Sequence, residues 1–232
     1  MKQIQTFCLL LFLFIFNSIL SKGQDDKKGL YIGITGSPDY CNLRVSGSDK
    51  DFINSFNDMQ SSKMSYSGGI GLLYRINNLI AIESGLLYSN KGFTLKFITR
   101  TIDPDPLYPD GSTIKDRYNF HYLDIPLKVN IYLLKKNVQL FVSGGIAGNI
   151  LLDVKEVTKI QNRKYVFDNT SYYKSFGVSM LASVGVDLPL SPKTSVRIEP
   201  IFRRSLTRAN KDGEVKWYLY NTGLNLGLYY KL

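Results

Sequence analysis

The last thirteen residues read YNTGLNLGLYYKL, and their apolar side chains fall on one parity: Tyr220, Leu224, Leu226, Leu228, Tyr230 and Leu232. The same period of two recurs upstream. Within 66–76, Tyr66, Ile70, Leu72, Tyr74 and Ile76 oppose Ser67, Gly69, Gly71 and Arg75. Within 120–134, Leu123, Ile125, Leu127, Val129, Ile131 and Leu133 oppose Tyr122, Asp124, Pro126, Lys128 and Asn130. Residues 138–152, 176–188 and 195–206 repeat the alternation, and 29–37 and 79–98 carry weaker versions. A side-chain period of two is the signature of a strand, so the pattern predicts eight strands.

The connections carry a second signal. Asn77-Asn78, Lys135-Lys136-Asn137 and Ser191-Pro192-Lys193 are turn residues at hairpin length. Between them come long polar stretches at about 41–64, 99–117 and 154–171, and an intermediate one at 207–216. Short and long connections therefore alternate, as in barrels with short periplasmic turns and long outside loops. The polar faces are rich in Gly, Ser and Asn rather than Lys and Glu, which suits a crowded interior better than a solvated surface. Apolar faces then meet lipid, and a sheet in hydrocarbon must close because no backbone group can stay unpaired there. The expected fold is all-β, an eight-stranded antiparallel up-and-down transmembrane β-barrel. Inward-pointing Arg75 and Glu83 require an odd hairpin turn, Asn77-Asn78-Leu79. Pro126 and Pro200 each forfeit a ladder hydrogen bond, so a bulge or strand end is expected at each.

The N-terminus reads differently. A basic start, an apolar run from Phe7 to Leu20 and small residues before Gln24 form a secretory signal pattern over 1–23, leaving 24–232 as one barrel domain. Removing Lys2 and Lys22 lowers the formal charge from +10 to +8, that is 27 Lys and Arg against 19 Asp and Glu. For an exported chain, outer-membrane lipid headgroups and lipopolysaccharide phosphates are better counter-charges than nucleic acid. An envelope protein is a further partner, and a monomer is expected. Cys41 is the only cysteine after residue 23, so no intramolecular disulfide forms.

The signal pattern, the eight alternating segments, YLDIPLKVNIYL (122–133), GGIAGN (144–149) and the terminal GLNLGLYYKL resemble the PorT-like outer-membrane β-barrel family of Bacteroidetes. The resemblance implies a cell outer-membrane location after signal-peptide cleavage. A member of that family is tied to protein secretion, but no residue here inherits that role.

Candidate chemistry is sparse. The inward parity collects Arg75, Lys128, Arg197 and Arg203 against Glu83, Asp124, Asp153, Asp187 and Glu199. An eight-stranded barrel is just wide enough for side chains to fill, so these charges read as a structural network. Asp124 and Lys128 lie roughly 13 Å apart along one strand and cannot pair; Glu83 is a partner for Lys128, and Arg197 and Glu199 are close enough to touch. His121, the single histidine, falls on the lipid-facing parity. With one His and one remaining Cys, no catalytic, cofactor or metal site is expected. Asp103, Asp105 and Asp110 match no calcium-loop spacing. Tyr31, Tyr66, Tyr88, Tyr118, Tyr122, Trp217, Tyr218, Tyr229 and Tyr230 lie near strand ends, where aromatic girdles sit. The leading reading is a non-enzymatic barrel acting through its outside loops or envelope contacts. The alternatives are a small-barrel enzyme acting on lipid or peptide, and a soluble lipocalin-like barrel with its apolar residues inside.

Overall fold

A computed structural model describes residues 28–98, 111–133, 138–160 and 163–232. The signal pattern, the turn at 135–137 and Asp103, Asp105 and Asp110 lie outside the described residues. The described residues form one antiparallel sheet of ten strands, two more than expected. They are β1 (Gly29–Ser46), β2 (Gln60–Ser61), β3 (Lys63–Arg75), β4 (Ile80–Ile98), β5 (Thr113–Tyr132), β6 (Gln139–Ile160), β7 (Arg163–Asp168), β8 (Phe176–Pro189), β9 (Thr194–Ser205) and β10 (Lys216–Lys231). A helix, α1 (Lys50–Met59), lies between β1 and β2.

Each long strand pairs with the next long one in the chain, from β3 to β4, β5, β6, β8, β9 and β10. The last strand then pairs with the first, Ile34 with Leu228 and Val45 with Trp217, and β1 pairs with β3. The sheet thus closes on itself, which is why the apolar alternation runs through β10. The short β2 and β7 hang on β4 and β6.

The register follows the parity argument. Arg75 lies opposite Ala81 and Leu73 opposite Glu83, with Asn77, Asn78 and Leu79 as the turn. Asn77 Oδ1 accepts from the amides of Leu79 and Ile80, each at 2.8 Å. Neither proline makes a bulge or an end. Pro126 stays paired with Ala147, and the β4–β5 ladder skips from Ser84/Leu127 to Leu87/Asp124 without changing register. Pro200 stays paired with Leu224, and the β8–β9 ladder skips from Ser183/Ile201 to Val186/Ile198. A strand residue donates to one neighbour only, so each proline costs one side of the ladder. The register shift falls instead at His121/Tyr122 on β5, facing the extra residue Leu152 on β6.

The faces decide between a soluble and a membrane barrel. Leu224, Leu226 and Leu228 are 40%, 47% and 45% exposed, whereas Arg197 and Glu199 are 2% and 1% exposed. The lipocalin-like reading is excluded at this level: aliphatic side chains point out and ions point in.

Several strands run further than their apolar alternation suggested. β1 continues to Ser46, β5 starts at Thr113 and β6 reaches Ile160, so parts of the long stretches expected as loops are strand. Along β1, Leu30, Ile32 and Ile34 face out, but further on Leu43 and Val45 are buried while Arg44 is exposed. The barrel wall therefore extends past its apolar outer band, and in that extension the sheet is apolar inside. There α1 covers the mouth. Asp49 caps it, accepting from the Phe52 amide at 3.0 Å, and Phe56 is its buried anchor.

Candidate functional site

The inward positions of the long strands build a lumen in tiers. Nearest the short turns, Arg75 donates to Asp187 at 2.5 Å and to Gln139 at 2.8 Å. Its guanidinium lies 4.4 Å from the Tyr132 ring centre and 5.4 Å from that of Tyr31. In the middle tier Arg197 reaches Glu83 at 2.7 Å. Lys128 bridges Glu83 and Glu199 at 2.9 and 2.8 Å. Asn130 donates to Glu83 at 3.0 Å, and Ser183 to Glu199 at 2.5 Å. In the upper tier Lys91 pairs with Asp124 at 2.9 Å, and Arg203 with Asp39 at 2.9 Å.

Five cations (Arg75, Lys91, Lys128, Arg197, Arg203) thus meet five carboxylates (Asp39, Glu83, Asp124, Asp187, Glu199). Burying an ion without a partner is costly, and here each has one within hydrogen-bonding distance. Glycines make room: a Cβ on Gly71 would sit 2.5 Å from the Tyr229 hydroxyl, and one on Gly227 2.7 Å from the Tyr229 ring. The space left between Glu83, Asp124, Lys128 and Arg203 is about 20 Å³, on the order of one water.

All eight residues expected in the network (Arg75, Glu83, Asp124, Lys128, Asp187, Arg197, Glu199, Arg203) are buried. Two details differ from expectation. Arg197 pairs with Glu83 across the lumen rather than with Glu199 beside it. Asp153 is not in the lumen: the extra residue Leu152 turns it outward, where it lies 3.6 Å from His121 and 3.6 Å from Lys155. Sequence reasoning missed Lys91 and Asp39. Lys91 shares the odd parity of Glu83 on β4, a usable signal; Asp39 lies past Pro38, beyond where the first strand was expected to end.

Above this lumen the interior changes character. Phe93 stacks on Tyr118 at 4.8 Å and meets Trp217 edge-on at 5.4 Å. Phe56 of α1 lies 5.8 Å from Trp217, and Tyr173 lies 4.7 Å from Phe120. Five residues expected in an outer aromatic girdle therefore point inward: Tyr31, Tyr122 and Tyr229 are buried, and Tyr118 and Trp217 pack on the apolar cluster. Tyr66 and Tyr230 do face out. Two carboxyls line this outer interior. Burial raises Asp116 above the usual carboxylate range, opposed by a hydrogen bond with Thr158. Burial, then the Asp116 charge, raises Glu156, opposed by hydrogen bonds with Tyr118 and Asn169.

His121 lies outside the lumen, bonded through Nδ1 to the Tyr88 hydroxyl, with Asp153 near Nε2. That set contains no serine or cysteine nucleophile. Among the described residues no three metal-ligating side chains converge.

A closed antiparallel sheet with an apolar belt and an ionic interior is the architecture of an outer-membrane barrel. The family described as "Outer membrane protein beta-barrel domain" matches residues 22–207. The chain belongs to that family. Among solved structures, Neisserial surface protein A (NspA) aligns with a TM-score of 0.51 at 11% identity, over 91% of this chain and 100% of that one. Ail, the attachment invasion locus protein of Yersinia pestis, gives 0.40 at 10% identity, over 88% and 99%. The outer membrane protease OmpT from Escherichia coli gives 0.46 at 8% identity, over 92% and 99%. At 11% identity the likeness to NspA concerns fold alone. No curated protein matches the chain.

Proposed function

We propose that this outer-membrane protein is a non-enzymatic barrel whose eight long strands cross the membrane around a sealed lumen, and whose work is done by the extension above the apolar belt. The observation that carries this reading is the complete pairing of the ten lumen ions around a void of about 20 Å³. A transport path needs a continuous water-filled route, which a void of about 20 Å³ does not supply, and a general acid or base needs a group free to give or take a proton. The apolar cluster under α1 closes the same axis a second time.

Supporting detail comes from the outer wall. Tyr40, Tyr66 and Tyr230 flank the aliphatic belt as exposed rings, and Arg44, Arg117 and Lys155 are exposed beyond it. These cations suit the phosphates of lipid headgroups and lipopolysaccharide. The stretches 122–133 and 223–232 favour the PorT-like branch, made as an exported precursor cleaved after residue 23 and acting as a monomer through contacts in the envelope.

Reconstitution into planar bilayers tests the sealed lumen. The expected record is flat, without conductance steps, while the same sample shifts on a gel between unheated and heated forms. Stable conductance steps from the heat-shifting species would overturn the reading.

A further inference from the structure

The wall above the apolar belt carries a charge arrangement that folding alone does not favour. On its outer face Lys96 of β4 lies directly opposite Lys115 of β5, Lys115 opposite Lys159 of β6, and Lys159 opposite Lys164 of β7. Four lysines therefore stand side by side across four adjacent strands, all exposed. Strands are about 4.8 Å apart, so the row is roughly 14 Å long. Like charges directly opposite one another destabilise a sheet. One step towards the membrane on the same face, Arg117 lies beside Val157 and Val166.

Among the described residues no carboxylate relieves this row. The acids nearest on the same face are Asp168, opposite Lys155 one step further down, and Asp153, beside Lys155 and His121. Asp168 is already engaged by the amide and hydroxyl of Thr170, at 2.9 and 2.6 Å. Asp116 and Glu156 sit on the inward parity. Lys115, Arg117, Asn119, Val157, Lys159 and Lys164 together line a shallow groove of about 250 Å³.

The geometry points to a binding site for a polyanionic glycan, a sugar chain bearing phosphate or sulfate groups at short intervals. The row offers evenly spaced ammonium groups for the anions. Asn119 is fixed at the groove by Lys63, which donates to its Oδ1 at 2.6 Å, and by the Arg117 and Lys155 carbonyls, and Val157 and Val166 supply an apolar shelf. Lipid headgroups are the wrong height. Lys96 is eight residues along β4 from Tyr88, which at strand rise and barrel tilt is about 20 Å above the belt. Glycan chains extend that far. Single-stranded nucleic acid is disfavoured because the row and the step below it, Arg117, Val157 and Val166, carry no aromatic ring on which bases stack.

The inference rests on the proposed membrane orientation only for which end of the barrel is outside. Its test uses the full-length protein folded in lipid nanodiscs. The probes are a heparin-derived hexasaccharide, the phosphorylated core oligosaccharide released from lipopolysaccharide, neutral dextran and an oligothymidylate. The site predicts salt-sensitive binding of at least one charged saccharide and none of dextran. Replacing Lys96, Lys115, Lys159 and Lys164 together by Gln is expected to weaken it on the order of tenfold or more, with the heat-modifiable gel shift retained. Binding of the core oligosaccharide alone would assign the ligand to the cell's own envelope, and of the heparin fragment alone to a glycan from outside. Equal binding by the fourfold variant, or tighter binding of the oligothymidylate, would overturn the site. Labelling of the lysines on intact cells by a membrane-impermeant amine reagent separates the two claims. Saccharide binding without labelling sinks the orientation and leaves the site standing.

Discussion

The belt-level barrel and its outer extension are built from the same strands with opposite polarity. At belt level β1 shows Leu30, Ile32 and Ile34 to the outside and keeps Ser37 and Asp39 inside; further up it shows Arg44 and buries Leu43 and Val45. β5 does the same, with Ile125, Leu127, Val129 and Ile131 out and Lys128 and Asn130 in, then Lys115 and Arg117 out and Phe120 and Ile114 in. The solvent dictates the choice. Hydrocarbon rewards apolar side chains outside and leaves ions only the interior, whereas water reverses both preferences. Hydrogen bonding is indifferent to the change, so one ladder runs through both regions.

The strands achieve the inversion in two ways. β1, β5 and β10 move their apolar residues to the other parity, as Leu219 and Trp217 do relative to Leu224, Leu226 and Leu228. β6 keeps its apolar residues on even numbers, from Ile150 and Leu152 to Val154 and Ile160, and inserts Leu152 as an extra residue so that even positions turn inward. A one-residue change of register flips every later side chain to the other face.

Substitutions that read the two environments separately sharpen the contrast. The largest effect is expected in the lumen. Glu83→Ala leaves Arg197 without its carboxylate and Lys128 with only Glu199, a loss of about 3–5 kcal/mol, measured as a fall in the urea midpoint for unfolding from lipid. Next comes Leu226→Arg on the lipid face, about 2–4 kcal/mol, read as loss of the heat-shifting band. Asn225→Ser beside it should leave that band in place. In the extension, Asp49→Ala removes the cap of α1 for about 1 kcal/mol. It should show as faster amide exchange in residues 50–59 with no change in the belt-level strands. The smallest effect is that of pH. Asp116 and Glu156 have carboxyls raised by burial, so the folded extension binds protons more readily than the unfolded chain. Its stability is full below the ordinary carboxylate range and declines as pH rises through their raised values. Mild acidification should therefore raise amide protection factors, taken relative to the intrinsic exchange rate at each pH, across 113–118 and 154–160, and Asp116→Asn with Glu156→Gln should abolish that rise.

The same contrast explains what the sequence disclosed. The belt was legible because lipid enforces one parity over many residues, which fixed the inward set around Glu83 and Arg197 and the turn at Asn77. The extension was obscured because its apolar parity changes at the boundary. A strand whose alternation shifts phase at Pro38 or near His121 looks like a strand that ends. The aromatic residues misled for a related reason: Tyr31 and Tyr229 sit near strand ends, but they cover the guanidinium groups of Arg75 and Arg197 inside the lumen. Pairing partners across the lumen, such as Arg197 with Glu83, depend on curvature that periodicity does not encode.

The inversion itself is tested most directly by a nitroxide scan along β5, residues 115 to 131, in a Cys41→Ser background in lipid. Odd positions from 123 to 131 should be accessible to oxygen and shielded from a water-soluble nickel complex, odd positions from 115 to 119 should show the reverse, and the crossover should fall at 121. Even positions should be immobile throughout. Nickel access at 125, 127 and 129, or a uniform profile with no crossover, would contradict the account.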